Sequence, residues 1–273
     1  MRKKVIKNYL LNTTCFVIGI LYCFPILYMV WSGFRPEMKI APPSWDFEFT
    51  LENYQAVIND EFFFHLRNSI VITCSTVLLT MMFGVPAAYT LVFGQLKKEK
   101  ASSIYDWFIT TTLLPAVAVI LPIYLILNYT NLMDSILVLI LLYTAAGIPL
   151  MVWMIKAFLE DVPYSIIEAA DVDGSSRFRT FFIIILPIIR SGLISTALLV
   201  FITTWNEFLF AVSFSFTKSP TLPVFMNRFL TQQGLFWGKM SAVGTIIIII
   251  PVAAGFFAQK SLIAGLTSGA VKE

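Results

Sequence analysis

The chain has 273 residues, of which 58% are hydrophobic and only 13% are charged, and its mean hydropathy is +0.81. A soluble domain is typically about a quarter charged, and one of this size could not bury so much apolar surface without large exposed patches. The net charge of +3 includes no long run of like charges, which argues against nucleic acid as a partner. The composition therefore predicts an integral membrane protein in contact with membrane lipid.

Six apolar stretches are long enough to cross a bilayer, whose hydrocarbon core requires about 20 helical residues. We predict transmembrane helices at about 9–32, 68–95, 104–128, 135–156, 191–214 and 241–263. The first stretch is too long for a cleavable signal peptide and is interpreted as an uncleaved span. No domain boundary is visible, so we expect residues 1–273 to form a single domain of an all-α membrane protein.

Prolines fall within or close to these spans, at Pro25, Pro86, Pro115, Pro122, Pro149 and Pro251. A proline inside a helix removes a hydrogen bond, and lipid tolerates this only where neighbouring groups satisfy the freed carbonyl. Two interpretations remain open. The prolines fit either a tightly packed bundle or the hinges of a moving gate.

Lysine and arginine indicate orientation because they are enriched in the cytoplasmic segments of membrane proteins. If the N-terminus is cytoplasmic, 13 of the 19 basic residues fall inside and six fall outside. The first outer segment, residues 33–67, is acidic instead. We therefore predict that both termini are cytoplasmic, together with the long loop 157–190 that joins the fourth and fifth spans.

This cytoplasmic loop is predicted to contain a short helix with clear boundaries. Asp161 is a candidate N-cap, and Pro163 suits the first turn of the helix. Gly174 can end the helix in the left-handed conformation. Ser175 or Ser176 can then cap a second helix, which leads to the fifth span.

One face of the short helix is apolar, since Ile166, Ile167 and Ala170 fall at helical spacing. An apolar face on a cytoplasmic helix has to be covered. Docking of the helix into the groove of a partner protein is one way to cover it. A capped helix that only links two spans is the alternative.

The same loop carries a three-part motif: Glu168-Ala169-Ala170, Asp173-Gly174 and Ile185-Leu186-Pro187. This motif resembles the EAA loop of ABC-importer permeases, in which E-A-A-x-x-D-G is followed about nine residues later by I-x-L-P. Ser191 departs from the pattern, because many members have a proline at that position. In that family the loop forms a coupling helix that fits a groove in the cytoplasmic ATPase, on a type I ABC importer permease fold with six transmembrane helices.

The resemblance implies an ATPase-coupling role for five residues of the loop. Glu168 is expected to pair with a basic group of the ATPase or to face the rim of its groove. Ala169 and Ala170 are small enough for a close approach to the partner backbone. Gly174, after Asp173, allows the sharp turn, and a larger side chain at Gly174 is expected to cause both backbone strain and a clash.

Two further stretches narrow the resemblance. Trp205-Asn206-Glu207-Phe208-Leu209 and the C-terminal residues 259–272 are similar to the second permease of maltose-type carbohydrate importers. In that family the tail lies along the ATPase dimer interface. A frayed polar end is the physical alternative for the tail.

A carboxylate within a membrane span is costly and suggests a function, so Glu207 is a candidate site residue. It either faces a translocation cavity or reaches the interface beside Asn206. The outer loop 215–240 is rich in amides and hydroxyls, and in maltose-type importers the corresponding loop reaches into the binding protein. We therefore assign a substrate pathway or binding-protein contact to Asn206, Glu207, Thr231, Gln232 and Gln233.

Other reactive side chains are given no function. Asp106 and Asp134 lie at span ends and are expected to be solvated, and His65 is expected on the surface. The three cysteines lie in apolar stretches, so neither a disulfide framework nor a metal site is predicted. Without a catalytic cluster, the chain is not expected to be an enzyme.

Taken as a whole, the resemblance implies a permease subunit of an ATP-driven, solute-binding-protein-dependent sugar importer, multi-pass in a bacterial cytoplasmic membrane. The implied partners are a second homologous permease, two ATPase subunits, an extracytoplasmic solute-binding protein and the sugar. The sequence contains no P-loop, so ATP and Mg are expected on the ATPase subunits and no cofactor on this chain. A permease for an amino acid, polyamine or phosphonate is the alternative, whereas a secondary transporter would need more intramembrane acids.

Overall fold

The computed structural model describes residues 2–41, 48–231 and 234–268, with side chains described from residue 11 to residue 259 within those ranges. The described chain is mostly helical, with one short hairpin. Its elements in order are α1 (Arg2–Gly33), a 3₁₀ turn (Glu37–Lys39), α2 (Glu52–Val57), α3 (Asp60–Phe93), α4 (Lys98–Thr112), α5 (Ala116–Tyr129), α6 (Ile136–Glu160), α7 (Tyr164–Val172), α8 (Arg177–Arg179), a π-helical turn (Thr180–Ile185), α9 (Leu186–Ile188), α10 (Arg190–Trp205), α11 (Leu209–Phe214), α12 (Leu222–Asn227), β1 (Leu230–Thr231), β2 (Gly234–Leu235) and α13 (Trp237–Ser268).

Within the described residues, four helical segments are long and apolar enough to cross a membrane alone: Leu11–Gly33, Asp60–Phe93, Ile136–Glu160 and Trp237–Gln259. Two bent pairs meet the same criterion together: Lys98–Thr112 with Ala116–Tyr129, and Arg177–Ile188 with Arg190–Trp205. If each bent pair is one span, the described chain has six, in agreement with the predicted number. The predicted all-α membrane class is confirmed.

The third predicted span, 104–128, is not one continuous helix. It is divided between α4 and α5, which meet at an angle of 89°. Pro115 precedes α5 and has no amide hydrogen to donate to the preceding turn, and it disfavours helical geometry at Leu114. The bend therefore has a local cause in the sequence, at a proline that the prediction placed within or close to the span.

The fifth predicted span, 191–214, is also interrupted. Helix α10 ends at Trp205, and α11 begins at Leu209 after a break of three residues. Before α10, the segment Arg177–Ile188 is inclined to it by 80°. The polar pair Asn206-Glu207 lies in the break, where the chain leaves the helical hydrogen-bonding pattern.

The described chain divides into two compact units, and one of them contains residues 1–63 and 225–249. Within this unit the Asn53 amide donates hydrogen bonds to the carbonyls of Gly33, at 3.1 Å, and Arg35, at 2.7 Å. The Glu37 carboxylate accepts hydrogen bonds from the backbone amides of Gly238 and Lys239. A carboxylate at the start of α13 compensates the helix dipole and satisfies amides that have no partner within the helix.

The other unit contains residues 64–224, with the chain from Ile250 onward. One of its cores combines side chains from α3, α6, α7, α10 and the π-helical turn: Val85, Ala88, Met151, Val152, Ile155, Leu159, Val162, Ile167, Phe181, Ile185, Ile189 and Val200. Small residues let α3 and α6 approach closely, since a Cβ added at Gly147 would lie 3.1 Å from the Thr80 hydroxyl. The single domain expected for residues 1–273 stays a prediction.

Candidate coupling helix and transmembrane groove

Helix α7, Tyr164–Val172, lies where the sequence predicted a short cytoplasmic helix, but its start differs from the prediction. Pro163 occupies the N-cap position, and Asp161 is the C-cap of α6 instead. Asp161 was therefore wrongly predicted as the N-cap of α7. Helix α6 continues to Glu160, so residues 161–163 are needed to turn the chain before α7 can begin.

The end of α7 has the predicted geometry. Gly174 has φ +69°, in the left-handed region that glycine adopts without steric cost. The amide of Ser175 donates to the carbonyl of Ala170 at 2.9 Å, and the amide of Gly174 donates to that of Asp171 at 3.1 Å. This arrangement is a Schellman-type C-cap. The chain then starts α8 at the predicted cap, Ser176, whose hydroxyl accepts a hydrogen bond from the amide of Arg179.

The apolar stripe of α7 is covered by the chain itself, contrary to the expectation that a partner groove covers it. Ile167 is only 7% exposed and Ala170 only 4% exposed. Ile167 packs in the core with Leu159, Phe181 and Ile185. Phe181 and Ile185, which follow Gly174 in sequence, share this core with Ile167. Ala170 is buried within this chain, and its close approach to the ATPase stays a prediction.

The opposite face of α7 is exposed. Glu168 and Ala169 lie on it, and Asp173 and Gly174 are exposed at its end. Val172 is 88% exposed, the largest exposure among the large apolar residues of this helix. Apart from its neighbours in sequence, no atom of the described residues lies within 4 Å of a Cβ built at Gly174, so an added Cβ there would be strained without a clash.

Two exposed aromatic side chains in the same loop were not singled out from the sequence. Tyr164 begins α7, and Phe178 lies in α8 with its ring 4.4 Å from that of Phe182. We call Tyr164, Glu168, Ala169 and Val172 the exposed α7 surface. The sequence signal for its apolar part was present, because aromatic and branched residues stand in a loop predicted to be cytoplasmic.

Glu207 caps the helix that follows it. Its carboxylate accepts hydrogen bonds from the backbone amides of Phe210, at 2.9 Å, and Ala211, at 3.3 Å. Asn206 is exposed, and its amide donates back to the carbonyl of Ile202 at 2.9 Å. The two neighbouring residues, predicted as a pair, therefore lie in different surroundings.

Glu207 also lines a cavity of about 780 Å³ that runs along α6. Its walls come from α4, α6, α10, α11, the break between α4 and α5, and the break between α10 and α11. The lining residues are Tyr105, Asp106, Ile109, Thr111, Thr112, Leu114, Tyr143, Ala145, Ala146, Gly147, Pro149, Leu150, Trp153, Thr203, Thr204, Glu207 and Phe210. We call this cavity the α6 groove; Asn206 is not among its lining residues.

Asp134 was expected to be solvated, but it is half-buried in the turn between α5 and α6. Its carboxylate accepts hydrogen bonds from the amides and side chains of the segment 216–219. Burial raises the pKa of Asp134, but the hydrogen bonds from this segment outweigh it and hold the pKa well below its usual value. The expectation failed because the donors come from a distant part of the chain.

The segment that Asp134 holds is also fixed on its other side. The Asn68 amide donates to the carbonyls of Lys218 and Pro220, each at 3.1 Å, and the Ser69 hydroxyl accepts from the Leu222 amide at 2.8 Å. The neighbouring His65 is 1% exposed, so the expectation that it lies on the surface was wrong. Residues 216–222 are therefore held in place by hydrogen bonds on the side of Asp134 and on the side of Asn68 and Ser69.

The remaining predicted site residues belong to the hairpin β1–β2. Thr231 pairs with Gly234 across the hairpin, and its hydroxyl donates to the Gly234 carbonyl at 2.9 Å. Gln232 and Gln233 lie outside the described residues. Their assignment to binding-protein contact, like that of Thr231, stays a prediction.

Comparison with known proteins gives the chain a family. Residues 80–267 match the family of binding-protein-dependent transport system inner membrane components. The trehalose/maltose transport system permease protein MalG of Thermococcus litoralis is 31% identical over 100% of this chain and 99% of its own length. The diacetylchitobiose uptake system permease protein DasC of Streptomyces coelicolor is 29% identical over 96% of both.

The fold has a counterpart among solved structures. A chain of a bacterial ABC transporter involved in the import of the acidic polysaccharide alginate superposes with a TM-score of 0.74, at 18% identity, over 95% of this chain and 98% of that one. At this level of identity the likeness concerns the fold alone. The chain belongs to the family of binding-protein-dependent transport system inner membrane components. It is a multi-pass membrane permease of the ABC importer class, a transport component and not an enzyme.

Proposed function

We propose that this chain is one of two permease subunits of an ATP-driven sugar importer that receives its substrate from a solute-binding protein. The observation that carries the proposal is the relationship over almost the whole chain with permeases of trehalose/maltose and diacetylchitobiose transport systems. The three sugars named for these relatives are disaccharides, so an oligosaccharide or related carbohydrate is the proposed substrate class.

The proposed contact with the ATPase is the exposed α7 surface. A short helix that ends in a fixed glycine turn presents a defined shape to a partner. Glu168 would supply a charge at the rim of this contact, and Val172 an exposed apolar side chain. Asp173 and Gly174 would keep the end of the helix in position.

Movement of the α7 surface would be transmitted through the buried side of the same helix. Ile167 belongs to a core that also contains Val85 of α3, Met151 of α6 and Val200 of α10. Because close-packed interiors deform little, a displacement of α7 by the ATPase would move these helices with it. Closure of two ATPase subunits on ATP would thereby open the pathway alternately to the two sides.

The assembly that this proposal requires has several further parts. A second homologous permease would complete the pathway, and a solute-binding protein outside the membrane would deliver the sugar. ATP and Mg would bind to the two ATPase subunits. The distribution of lysine and arginine supports cytoplasmic termini. The family of inner membrane components supports a bacterial cytoplasmic membrane as the location.

The proposal is tested by reconstituting the chain with its second permease, ATPases and binding protein in liposomes. We expect ATP-dependent uptake of at least one member of a panel of labelled disaccharides, abolished when ATP is omitted and insensitive to an uncoupler. Uptake of an amino acid, spermidine or a phosphonate with no uptake of sugar would favour the non-sugar alternative. Uptake that persists without ATP but stops with the uncoupler would contradict the importer mechanism.

A further inference from the structure

The polar side chains in the mainly apolar α6 groove supply hydrogen-bond acceptors. Threonines line it on two sides, and several of their hydroxyls donate to carbonyls of their own helices: Thr111 to Phe108, Thr112 to Ile109 and Thr203 to Leu199. A hydroxyl that donates inward keeps its oxygen lone pairs for another donor. The carboxylates of Asp106 and Glu207 add further acceptors. The groove therefore suits a ligand that carries many O–H or N–H donors.

The charge of the groove narrows the ligand class. Among the described residues that line it, two are acidic and none is lysine, arginine or histidine. An anionic ligand would find no cation among these lining residues and would be repelled by the two carboxylates. The lining therefore disfavours phosphonates and acidic sugars, and it is compatible with neutral saccharides.

Trp153 gives the groove an aromatic surface. Its side chain is 50% exposed although it lines the cavity, so the indole is accessible to a ligand. Tyr105 is less suited to this task, because the Lys156 ammonium lies 4.4 Å from the centre of its ring. Aromatic side chains bury a large apolar area in a fixed geometry, which suits the C–H face of a pyranose ring.

The groove is also of a suitable size. Tyr143 and Trp153 lie ten residues apart on α6, which corresponds to ~15 Å along the helix axis. Between them the groove is lined by three small residues, Ala145, Ala146 and Gly147. The volume of about 780 Å³ falls within the range of roughly 300–1,000 Å³ that small-molecule sites occupy.

From these observations we infer that the α6 groove is a saccharide subsite contributed by this chain, in which Trp153 stacks against a sugar ring and Asp106 and Glu207 accept hydrogen bonds from sugar hydroxyls. The subsite binds neutral saccharides in preference to anionic ones. This inference rests on the proposed sugar-import function and adds the residues of this chain that hold the sugar during passage.

The test measures the number of disaccharide molecules imported per ATP hydrolysed, in liposomes that contain the complete transporter. The variants are Trp153→Ala, Trp153→Phe and, as a matched control, Trp107→Ala, since Trp107 is an exposed indole that does not line the groove. We expect Trp153→Ala to lower the sugar-to-ATP ratio about tenfold, the factor given by about 1.4 kcal/mol of lost contact energy. Trp153→Phe should stay within about twofold of the native ratio, and Trp107→Ala should equal it.

If Trp153→Ala has the same sugar-to-ATP ratio as the native protein, the proposed saccharide subsite is wrong, while the proposed sugar-import function is unaffected. If Trp153→Ala does not assemble, Trp153→Leu takes its place, because leucine keeps apolar volume without an aromatic face. Equal ratios for the leucine and phenylalanine variants would then overturn the stacking role. A native transporter that hydrolyses ATP but imports spermidine and no disaccharide would instead overturn the proposed function, and the subsite with it.

Discussion

The carboxylate of Asp134 accepts hydrogen bonds from both the amide and the hydroxyl of Ser219, at 3.0 and 2.9 Å, across 85 positions of sequence. The same carboxylate also binds the amides of Phe216, Thr217 and Lys218, each at 2.9 Å. Asp134 itself has φ +58°, a conformation that aspartate tolerates better than most residues. One side chain thereby organises the segment that leads into α12.

Replacement of Asp134 by asparagine removes an acceptor oxygen and the negative charge, and leaves several amides without a partner. We expect Asp134→Asn to destabilise the protein by about 1–3 kcal/mol, because hydrogen bonds to a charged acceptor contribute about this much. Thermal unfolding in detergent measures the effect. Asp161→Asn, a change of the same chemistry at an exposed position, should be nearly neutral; equal losses in the two variants would refute the role of Asp134.

The contribution of Asp134 should also depend on pH in a defined direction. Its pKa is lower in the folded protein than the value of about 3.9 typical of an unfolded chain, so the stabilisation is fully present above that value. It is lost as the pH falls toward the folded pKa. The difference in unfolding free energy between native and Asp134→Asn protein should therefore be constant between about pH 5 and about pH 7, and it should shrink below about pH 4. A difference that grows on acidification would be inconsistent with a depressed pKa.

Substitutions at two adjacent residues of α7 should have different effects on protein stability and on ATPase binding. Ile167 is buried, so Ile167→Ala should cost about 2–5 kcal/mol through lost packing. Glu168 is exposed, so Glu168→Lys should change stability by less than about 0.5 kcal/mol but abolish co-purification of the ATPase. Thermal unfolding and ATPase recovery measured on the same samples give both quantities. Full ATPase recovery with Glu168→Lys would argue against its place at the contact.

Gly174 offers a test of backbone conformation without steric clash. A Cβ at this position meets no atom within 4 Å, so Gly174→Ala should cost only the left-handed backbone penalty of about 1–2 kcal/mol. Gly174→Asn should cost less, because asparagine visits that region more readily. Thermal unfolding should rank the proteins as native, asparagine, then alanine. The reverse order of the two variants would show that the positive φ is not what constrains this position.

The sequence predicted the class of the fold and the position of α7 well because both depend on local patterns. Apolar length predicts a span, and the glycine turn predicts the end of α7. The positions of the helix breaks at Pro115 and Asn206 were not predicted, because a hydropathy average over a window does not detect a bend. The partner of Asp134 could not be predicted, since its donors at 216–219 are distant in sequence.

The stripe of α7 shows a second limit of prediction from one sequence. The spacing of Ile166, Ile167 and Ala170 correctly indicated that this face is covered. It did not indicate whether the cover comes from another protein or from the same chain. The core around Phe181 and Ile185 supplies that cover, so the proposed coupling contact is placed on the opposite face.

The most direct test of the central proposal compares cysteine cross-linking at two neighbouring residues of α7. In a chain whose native cysteines, Cys15, Cys23 and Cys74, are replaced, Ala169→Cys would expose a thiol on the proposed coupling surface, and Ala170→Cys would bury it. We expect Ala169→Cys, and not Ala170→Cys, to cross-link to the ATPase in the assembled transporter and to block sugar-stimulated ATP hydrolysis. No cross-link from Ala169→Cys in a transporter that still imports sugar would contradict the proposal that α7 couples this permease to its ATPase.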